Sequence, residues 1–140
     1  MSTSSSGLEA AVARVGDRWS LLILDALMEG PRRFKELESA VQGLAPNVLS
    51  ARLRHLSHDG LVVAEPYSAR PVRYEYRVST DGMELAGALK LLASWGARSA
   101  GEEEVPGPRH GSCGTLLEAH WYCPTCDRVA EGGEEDLTWL

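Results

Sequence analysis

The chain has 140 residues, of which 44% are apolar and 24% charged, and its formal net charge is −6. That length suits one domain of ordinary size with a small appendage, and no apolar run approaches the roughly 18 residues that a transmembrane helix needs. The polar start MSTSSSG has neither the basic region nor the apolar stretch of a signal peptide. We therefore expect a globular, cytoplasmic protein with no membrane role, whose cysteines stay reduced.

The negative charge is concentrated near the C-terminus. Residues 1–100 carry 12 Lys and Arg against 11 Asp and Glu, whereas residues 101–140 carry 2 against 9. Between residues 31 and 77 there are 8 basic and 5 acidic residues, and a local basic excess of this kind is the electrostatic signature of nucleic-acid binding. The acidic total therefore does not exclude a DNA-binding role for the first hundred residues.

The N-terminal third predicts two helices. Apolar residues recur at spacings of three and four from Leu8 to Leu27, which is the helical period. Gly16 divides this stretch, and Asp17 is a good cap for the second helix. The Gly-Pro pair at residues 30–31 is typical of a helix end.

The pattern then changes from helix to strand and back. A third helix is predicted over residues 32–41 and a fourth over residues 46–60, where Pro suits the first turn and Gly the end. Residues 61–67 and 72–79 are rich in Val and Tyr around a turn, so they predict a β-hairpin. A last helix is predicted from a cap at Ser79 or Thr80 through about Ser99, with Met83, Leu85, Leu89, Leu92 and Trp95 on one broad face.

Two short helices followed by a hairpin are the parts of a winged helix-turn-helix. In the fourth helix, leucines at 49, 53 and 56 share one side, which predicts that this side is buried. Asn47, Ser50 and Arg54 fall near the N-terminal part of the opposite side, which a recognition helix presents to base edges. Arg54 suits guanine and Asn47 suits adenine.

Further basic residues are predicted to contact the DNA outside the recognition helix. Arg70 at the hairpin tip is placed to enter a minor groove or to meet a phosphate. The predicted contacts to the DNA backbone come from Arg32, Arg33, Lys35 and Arg73.

Three segments, GDRWSLLILDALMEGPRRFKEL, LSARLRHLSHDGLV and RPVRYEYRVSTDG, resemble the HxlR family of bacterial winged-helix regulators, which are MarR-like. The resemblance covers roughly residues 8–98 and implies a mainly α fold with a small β wing. It also implies a homodimer formed by the first and last helices, with Leu85, Leu89, Leu92 and Trp95 at the interface. Such a dimer binds a pseudo-palindromic operator in double-stranded DNA, and we expect this protein to act there as a repressor. No catalytic motif accompanies these segments, so we do not expect an enzyme.

The sequence departs from the family pattern at two positions. Many family members carry a redox-sensing cysteine thirteen residues before the tryptophan of GDRW, and this chain has Ser6 there. A serine cannot form a disulfide, so that thiol switch is missing. Ala45 stands before Pro46, where family members often have a capping serine, and the loss of a cap costs about 1 kcal/mol.

All three cysteines lie in HGSCGTLLEAHWYCPTC, residues 110–126. His110 and Cys113 form one pair with zinc-knuckle spacing, and Cys123 and Cys126 form a second. Four such ligands suit a tetrahedral, structural Zn²⁺. His120 competes with His110 as the fourth ligand, and the spacing to Cys113 favours His110. Asp127 stands where glycine commonly follows such a knuckle, and a miniature core is expected from Leu116, Leu117, Trp121 and Tyr122.

The predicted organisation is a disordered segment 1–7, a winged helix-turn-helix domain 8–99, an acidic linker 100–109 and a zinc-ribbon-like tail 110–140. Three routes of regulation stay open. The tail cysteines respond to redox conditions or metal, the tail contacts another protein, or a small-molecule effector binds between the dimer helices and the winged domain. The alternative to zinc is a reduced, metal-free tail, and a thioredoxin-like role for the CxxC pair ranks third, because no βαβ pattern surrounds it.

Overall fold

The computed structural model describes residues 6–133 and 137–138, and the chain divides into two compact units, Met1–Leu89 and Lys90–Leu140. The fold is mainly α with a small antiparallel wing, as predicted. None of the described helices is long and apolar enough to cross a membrane. The helices are α1 (Gly7–Val15), α2 (Arg18–Met28), α3 (Phe34–Ala40), α4 (Pro46–His58), α5 (Thr80–Met83) and α6 (Ala86–Ala100). The strands are β1 (Arg32–Arg33), β2 (Val62–Ala69), β3 (Val72–Val78), β4 (Trp121–Cys123) and β5 (Arg128–Ala130).

The core of the first unit forms where the apolar faces of α2, α3 and α4 meet. Ile23 and Leu24 of α2, Leu37 of α3, and Leu49 and Leu56 of α4 are completely buried. Burying a side chain of this size stabilises the fold by about 1.5–3 kcal/mol. This packing holds α4 along one face and thereby determines which of its residues reach solvent.

The first helix begins earlier than predicted. Ser6 Oγ accepts a hydrogen bond from the backbone N–H of Glu9 at 3.1 Å, and the Glu9 carboxylate accepts one from the N–H of Ser6 at 2.6 Å. This capping box satisfies two N–H groups that a helix start otherwise leaves without partners. Ser6 and Gly7 therefore belong to the start of α1, whereas the rest of the predicted disordered segment 1–7 lies outside the described residues.

Arg32 and Arg33 form a strand and not the start of the third helix. They pair antiparallel with Tyr76 and Glu75 of β3, which makes β1 the third strand of a sheet with the order β1-β3-β2. Local sequence favoured a helix here, but the edge of β3 supplies hydrogen-bond partners about forty residues away. α3 starts at Phe34, two residues later than predicted.

The predicted last helix is interrupted. Glu84 and Leu85 donate to carbonyls only three residues back, at 3.2 and 3.1 Å, which tightens and ends α5 before α6 starts. A β-carbon on Gly82 would lie 2.3 Å from the Leu61 carbonyl oxygen, so α5 docks closely on this backbone. Of the five residues predicted to share one broad face, Leu89 is buried and Leu85 is half-buried, whereas Met83, Leu92 and Trp95 are exposed.

The second unit contains the later part of α6 and the tail. Ser94 Oγ donates to the Pro106 carbonyl at 2.6 Å, which ties the predicted linker to the helix. Arg109 and Leu116 form an isolated bridge around one turn, and β4 and β5 enclose another. No residue of the described range 101–133 is buried. The predicted miniature core is therefore wrong for this range, because Leu117, Trp121 and Tyr122 point to solvent.

Candidate nucleic-acid interface

The fourth helix has one buried and one open side. Leu49, Leu53 and Leu56 are at most 2% exposed, while Asn47, Ser50 and Arg54 are exposed. The spacing of 3.6 residues per turn places these two sets on different sides of the helix. The burial pattern predicted from the sequence for α4 is confirmed.

The start of α4 has no side-chain cap. The backbone of Ala45 has the extended conformation of an N-cap, with φ −70° and ψ 144°, but no side chain accepts a hydrogen bond from the first turn. Pro46 occupies the first helical position, where its missing N–H costs nothing. The N–H groups of Asn47 and Val48 thus lack the partner that a serine would supply.

The wing presents a basic tip. Ala69 pairs with Val72, so Arg70 and Pro71 form a two-residue connection between β2 and β3. Arg70 and Arg73 are both exposed. The structure therefore places the predicted tip arginine at the tip.

Two arginines near α3 are held by neighbouring groups. The Arg32 guanidinium donates to the Ala26 carbonyl at 3.0 Å and pairs with Glu29 at 2.7 Å. Two of its nitrogens are thus engaged within the protein while 27% of the side chain stays exposed, and the predicted phosphate contact of Arg32 stays a prediction. Lys35 is exposed, and the Arg33 guanidinium lies 4.1 Å from the centre of the Tyr67 ring.

Sequence reasoning missed the role of Tyr67 at this surface. The register of the β2–β3 pairing shifts between Pro66 and Ser68, so Tyr67 is the extra residue of a β-bulge. Bulges re-aim side chains, and this ring forms a cation–π contact with Arg33. A groove of about 750 Å³ between α3 and the wing is lined by these two side chains together with Arg73 and Tyr74. The sequence signal that could have indicated this role of Tyr67 was its position as an aromatic residue directly after Pro66.

The structure forms the two predicted metal-ligand pairs but does not join them. Cys113 Sγ lies 3.4 Å from His110 Nδ1, and Cys123 forms a hydrogen bond with Cys126. His120 is engaged by Glu118 at 3.2 Å. Among the described residues, no three His, Cys, Asp or Glu side chains form one group suited to a metal ion.

Both turns stabilise thiolates. The hydroxyl and the backbone N–H of Thr115 lower the pKa of Cys113. The backbone N–H groups of Cys126 and Thr125 lower the pKa of Cys123, with a smaller contribution from the Cys126 side chain. A hydrogen bond to the charged form favours that form. The turns are therefore suited to metal coordination or to thiol chemistry.

The family model described as HxlR-like helix-turn-helix matches residues 14–104. The chain belongs to this family. It is a transcriptional regulator of the helix-turn-helix type, and the resemblance read from the three sequence segments is confirmed. The matched range contains α2 to α6 and the wing, and it ends before the cysteine-containing tail.

Individual relatives and solved structures are similar to this chain and support the same family. The HTH-type transcriptional regulator Rv3095 of Mycobacterium tuberculosis is 37% identical over 123 residues, which cover 83% of this chain and 74% of that protein. A share of 83% is more than residues 1–104 can supply, so this match extends into the tail. The structure of the HTH-type regulator ytcD superposes with a TM-score of 0.65 at 32% identity, covering 70% of this chain and 100% of that one. The reduced form of the redox regulator HypR superposes with a TM-score of 0.64 at 25% identity, covering 68% and 94%.

Proposed function

We propose that the protein is a sequence-specific DNA-binding repressor that binds a pseudo-palindromic operator as a homodimer, with one α4 helix in the major groove of each half-site. The observation that carries this proposal is the division of α4 into a buried leucine side and an open side with Asn47, Ser50 and Arg54. A helix held by one face and polar on the other, next to an exposed basic hairpin, is the arrangement with which winged helix-turn-helix proteins read DNA.

The exposed basic residues around α4 support phosphate contacts. Arg33, Lys35, Arg70 and Arg73 are all exposed, and cations of this kind position a protein on DNA without reading its sequence. Arg33 is oriented by Tyr67, so less side-chain entropy is lost when it meets a phosphate. Arg32 is left out of this set because Glu29 and the Ala26 carbonyl already engage it.

Exposed apolar residues on two helices support the homodimer. Leu8 and Val12 of α1 are 74% and 55% exposed, and Leu92 and Trp95 of α6 are 54% and 64% exposed. Homodimer interfaces are more apolar than the rest of a protein surface, so exposed side chains of this kind suit such an interface. A Trp95→Glu variant should sediment as a monomer at concentrations where the parent protein is a dimer. A monomeric parent would contradict the dimer.

The DNA-reading proposal is tested by selecting bound sequences from a random pool and then comparing variants on the selected site. Arg54→Ala should lose about 1–3 kcal/mol of discrimination at one base pair. Arg70→Ala should weaken binding to all sequences and reduce the salt slope by about 1. Arg98→Ala removes the same charge from the last turn of α6 and serves as the matched control.

Three results would contradict the proposal. The first is a pool that yields no common sequence. The second is equal loss of discrimination in Arg54→Ala and Arg98→Ala. The third is increased transcription in vitro from a promoter that overlaps the selected site, which would mean an activator. A repressor should lower this transcription.

Thiol-based regulation through the tail is a second candidate. HypR, one of the structural relatives, is a redox regulator, and the hydrogen bonds at Cys123 favour the reactive thiolate. The family position of the sensing cysteine is occupied by Ser6, which caps α1. If this candidate is right, a two-electron oxidant such as diamide should form a Cys123–Cys126 disulfide and change operator affinity. An oxidised protein that binds the operator as before would exclude it.

A further inference from the structure

The two cysteine-containing turns of the tail share two backbone features. The N–H of His110 donates to the carbonyl of Thr115 at 2.9 Å, and Cys123 pairs with Arg128. Each turn is thus closed between its first candidate ligand and the residue five positions later. The residue directly after the second ligand has a left-handed backbone in both turns, namely Gly114 with φ 72° and Asp127 with φ 52°. Asp127 therefore stands in the place of the glycine expected after a knuckle, but it has the left-handed backbone that a glycine would adopt.

An interaction at the second turn explains how Asp127 adopts this conformation. Asp is among the few residues with a β-carbon that adopt left-handed backbone conformations, because its short polar side chain can form local hydrogen bonds. The Tyr122 hydroxyl donates to Asp127 Oδ1. The second turn thus keeps the geometry of the first.

The first pair already has the spacing of two ligands that share one ion. With Zn–S and Zn–N bonds of about 2.3 and 2.0–2.1 Å and a tetrahedral angle, the two ligand atoms are about 3.5 Å apart. The observed distance from Cys113 Sγ to His110 Nδ1 is 3.4 Å. His120 is turned toward Glu118, so the structure favours His110 over its competitor.

The tail also has a regular fold without a buried interior. Residues 109–116 and 121–130 form two closed turns, yet no residue between 101 and 133 is buried. A segment of this size cannot be stabilised by apolar burial alone and needs a disulfide, a metal or a partner. Its three cysteines carry thiols, and each candidate ligand is at least partly exposed to solvent.

We propose that one Zn²⁺ ion joins the two turns of a single chain through His110 Nδ1 and the Sγ atoms of Cys113, Cys123 and Cys126. Residues 117–120 connect the two turns and form neither helix nor strand. The proposal requires the turns to approach each other when the ion binds, because the described residues do not already bring three of these ligands into one group. Three thiol protons leave to solvent as three Zn–S bonds form, and neutral His110 keeps its proton on Nε2. Four protein ligands leave no open position, so the ion is structural.

The test uses the full-length protein, with Zn²⁺ and then Co²⁺ as probes. We expect one ion per chain, the visible bands of tetrahedral Co²⁺ and a charge-transfer band with the intensity of three thiolates. His110→Ala and Cys113→Ser should each weaken Zn²⁺ binding by more than the about 10- to 100-fold that loss of a second-shell partner costs. His120→Ala is the matched control and should bind as the parent does. Zn²⁺ should also slow amide hydrogen exchange in residues 109–130.

Several outcomes would overturn the proposal. Half an ion per chain would indicate a site between two chains. Loss of Zn²⁺ binding in His120→Ala but not in His110→Ala would mean that His120, and not His110, is the fourth ligand. Binding that survives Cys123→Ser unchanged would be adventitious. None of these outcomes depends on DNA binding, which is measured separately on the same samples.

Discussion

Adding a hydroxyl at the start of α4 should stabilise the protein. Ala45 already has the extended backbone of an N-cap, and the first turn of α4 has no side-chain acceptor. A serine there can accept from the free N–H groups without moving the chain. The gain for a capping hydroxyl over alanine is about 1 kcal/mol, which corresponds to a Tm increase of about 4–8 °C for a unit of this size. We expect Ala45→Ser to be more stable than the parent protein by this amount.

The assay is urea unfolding of the full-length protein followed by circular dichroism. Ala45→Ser should raise the midpoint and leave the slope with urea unchanged, because the surface exposed on unfolding is the same. Ala45→Thr and Ala45→Val form an isosteric control pair, of which only the threonine has an acceptor. An equal effect of threonine and valine would refute the capping argument, and so would a serine variant no more stable than the parent.

Three further predictions concern single elements. Leu53→Ala, at a position that is 2% exposed, should cost about 2–5 kcal/mol of unfolding free energy and should lower operator binding only through the fraction folded. Asp17 caps α2, and although burial raises its pKa, hydrogen bonds from Ser20 and the charge of Arg52 outweigh this, so the folded-state pKa is lowered. Its contribution is therefore present above the ordinary aspartate pKa of about 3.9 and is lost as pH falls through the folded value. In acid unfolding curves, the difference in unfolding free energy between the parent and Asp17→Ala should disappear as the pH falls through the folded-state pKa of Asp17. Asp127→Ala should destabilise the β4–β5 hairpin more than Asp127→Gly, since left-handed backbone costs a residue with a β-carbon about 1–2 kcal/mol; hydrogen exchange of the hairpin amides checks the order.

Helix periodicity and capping residues predicted most of the first unit. The leucine spacing in α4 was sufficient to separate its buried side from Asn47, Ser50 and Arg54, because helical geometry relates spacing to direction. Asp17 caps α2, and the hairpin lies where Val and Tyr cluster. These features depend on interactions between residues a few positions apart, so they can be predicted from a single sequence.

Features that require a distant partner were mispredicted or missed. Arg32 and Arg33 are strand residues only because β3 lies beside them, and the bulge at Tyr67 places its ring over Arg33. The break between α5 and α6 coincides with hydrogen bonds from Glu84 and Leu85 to carbonyls three residues back, next to the close approach of Gly82 to the Leu61 carbonyl. No local pattern encodes these contacts.

The sequence by itself determined the family, the order of helices and wing, and the close spacing of His110 with Cys113 and of Cys123 with Cys126, since each depends on residue type and short spacing. Only the tertiary structure showed which cations already have partners within the protein. Arg32 is engaged by Glu29 and the Ala26 carbonyl, whereas Arg33 is held by Tyr67. It also showed that Asp127 adopts the left-handed backbone of a glycine. Charge and spacing are properties of the chain, but the availability of a side chain depends on what the fold places beside it.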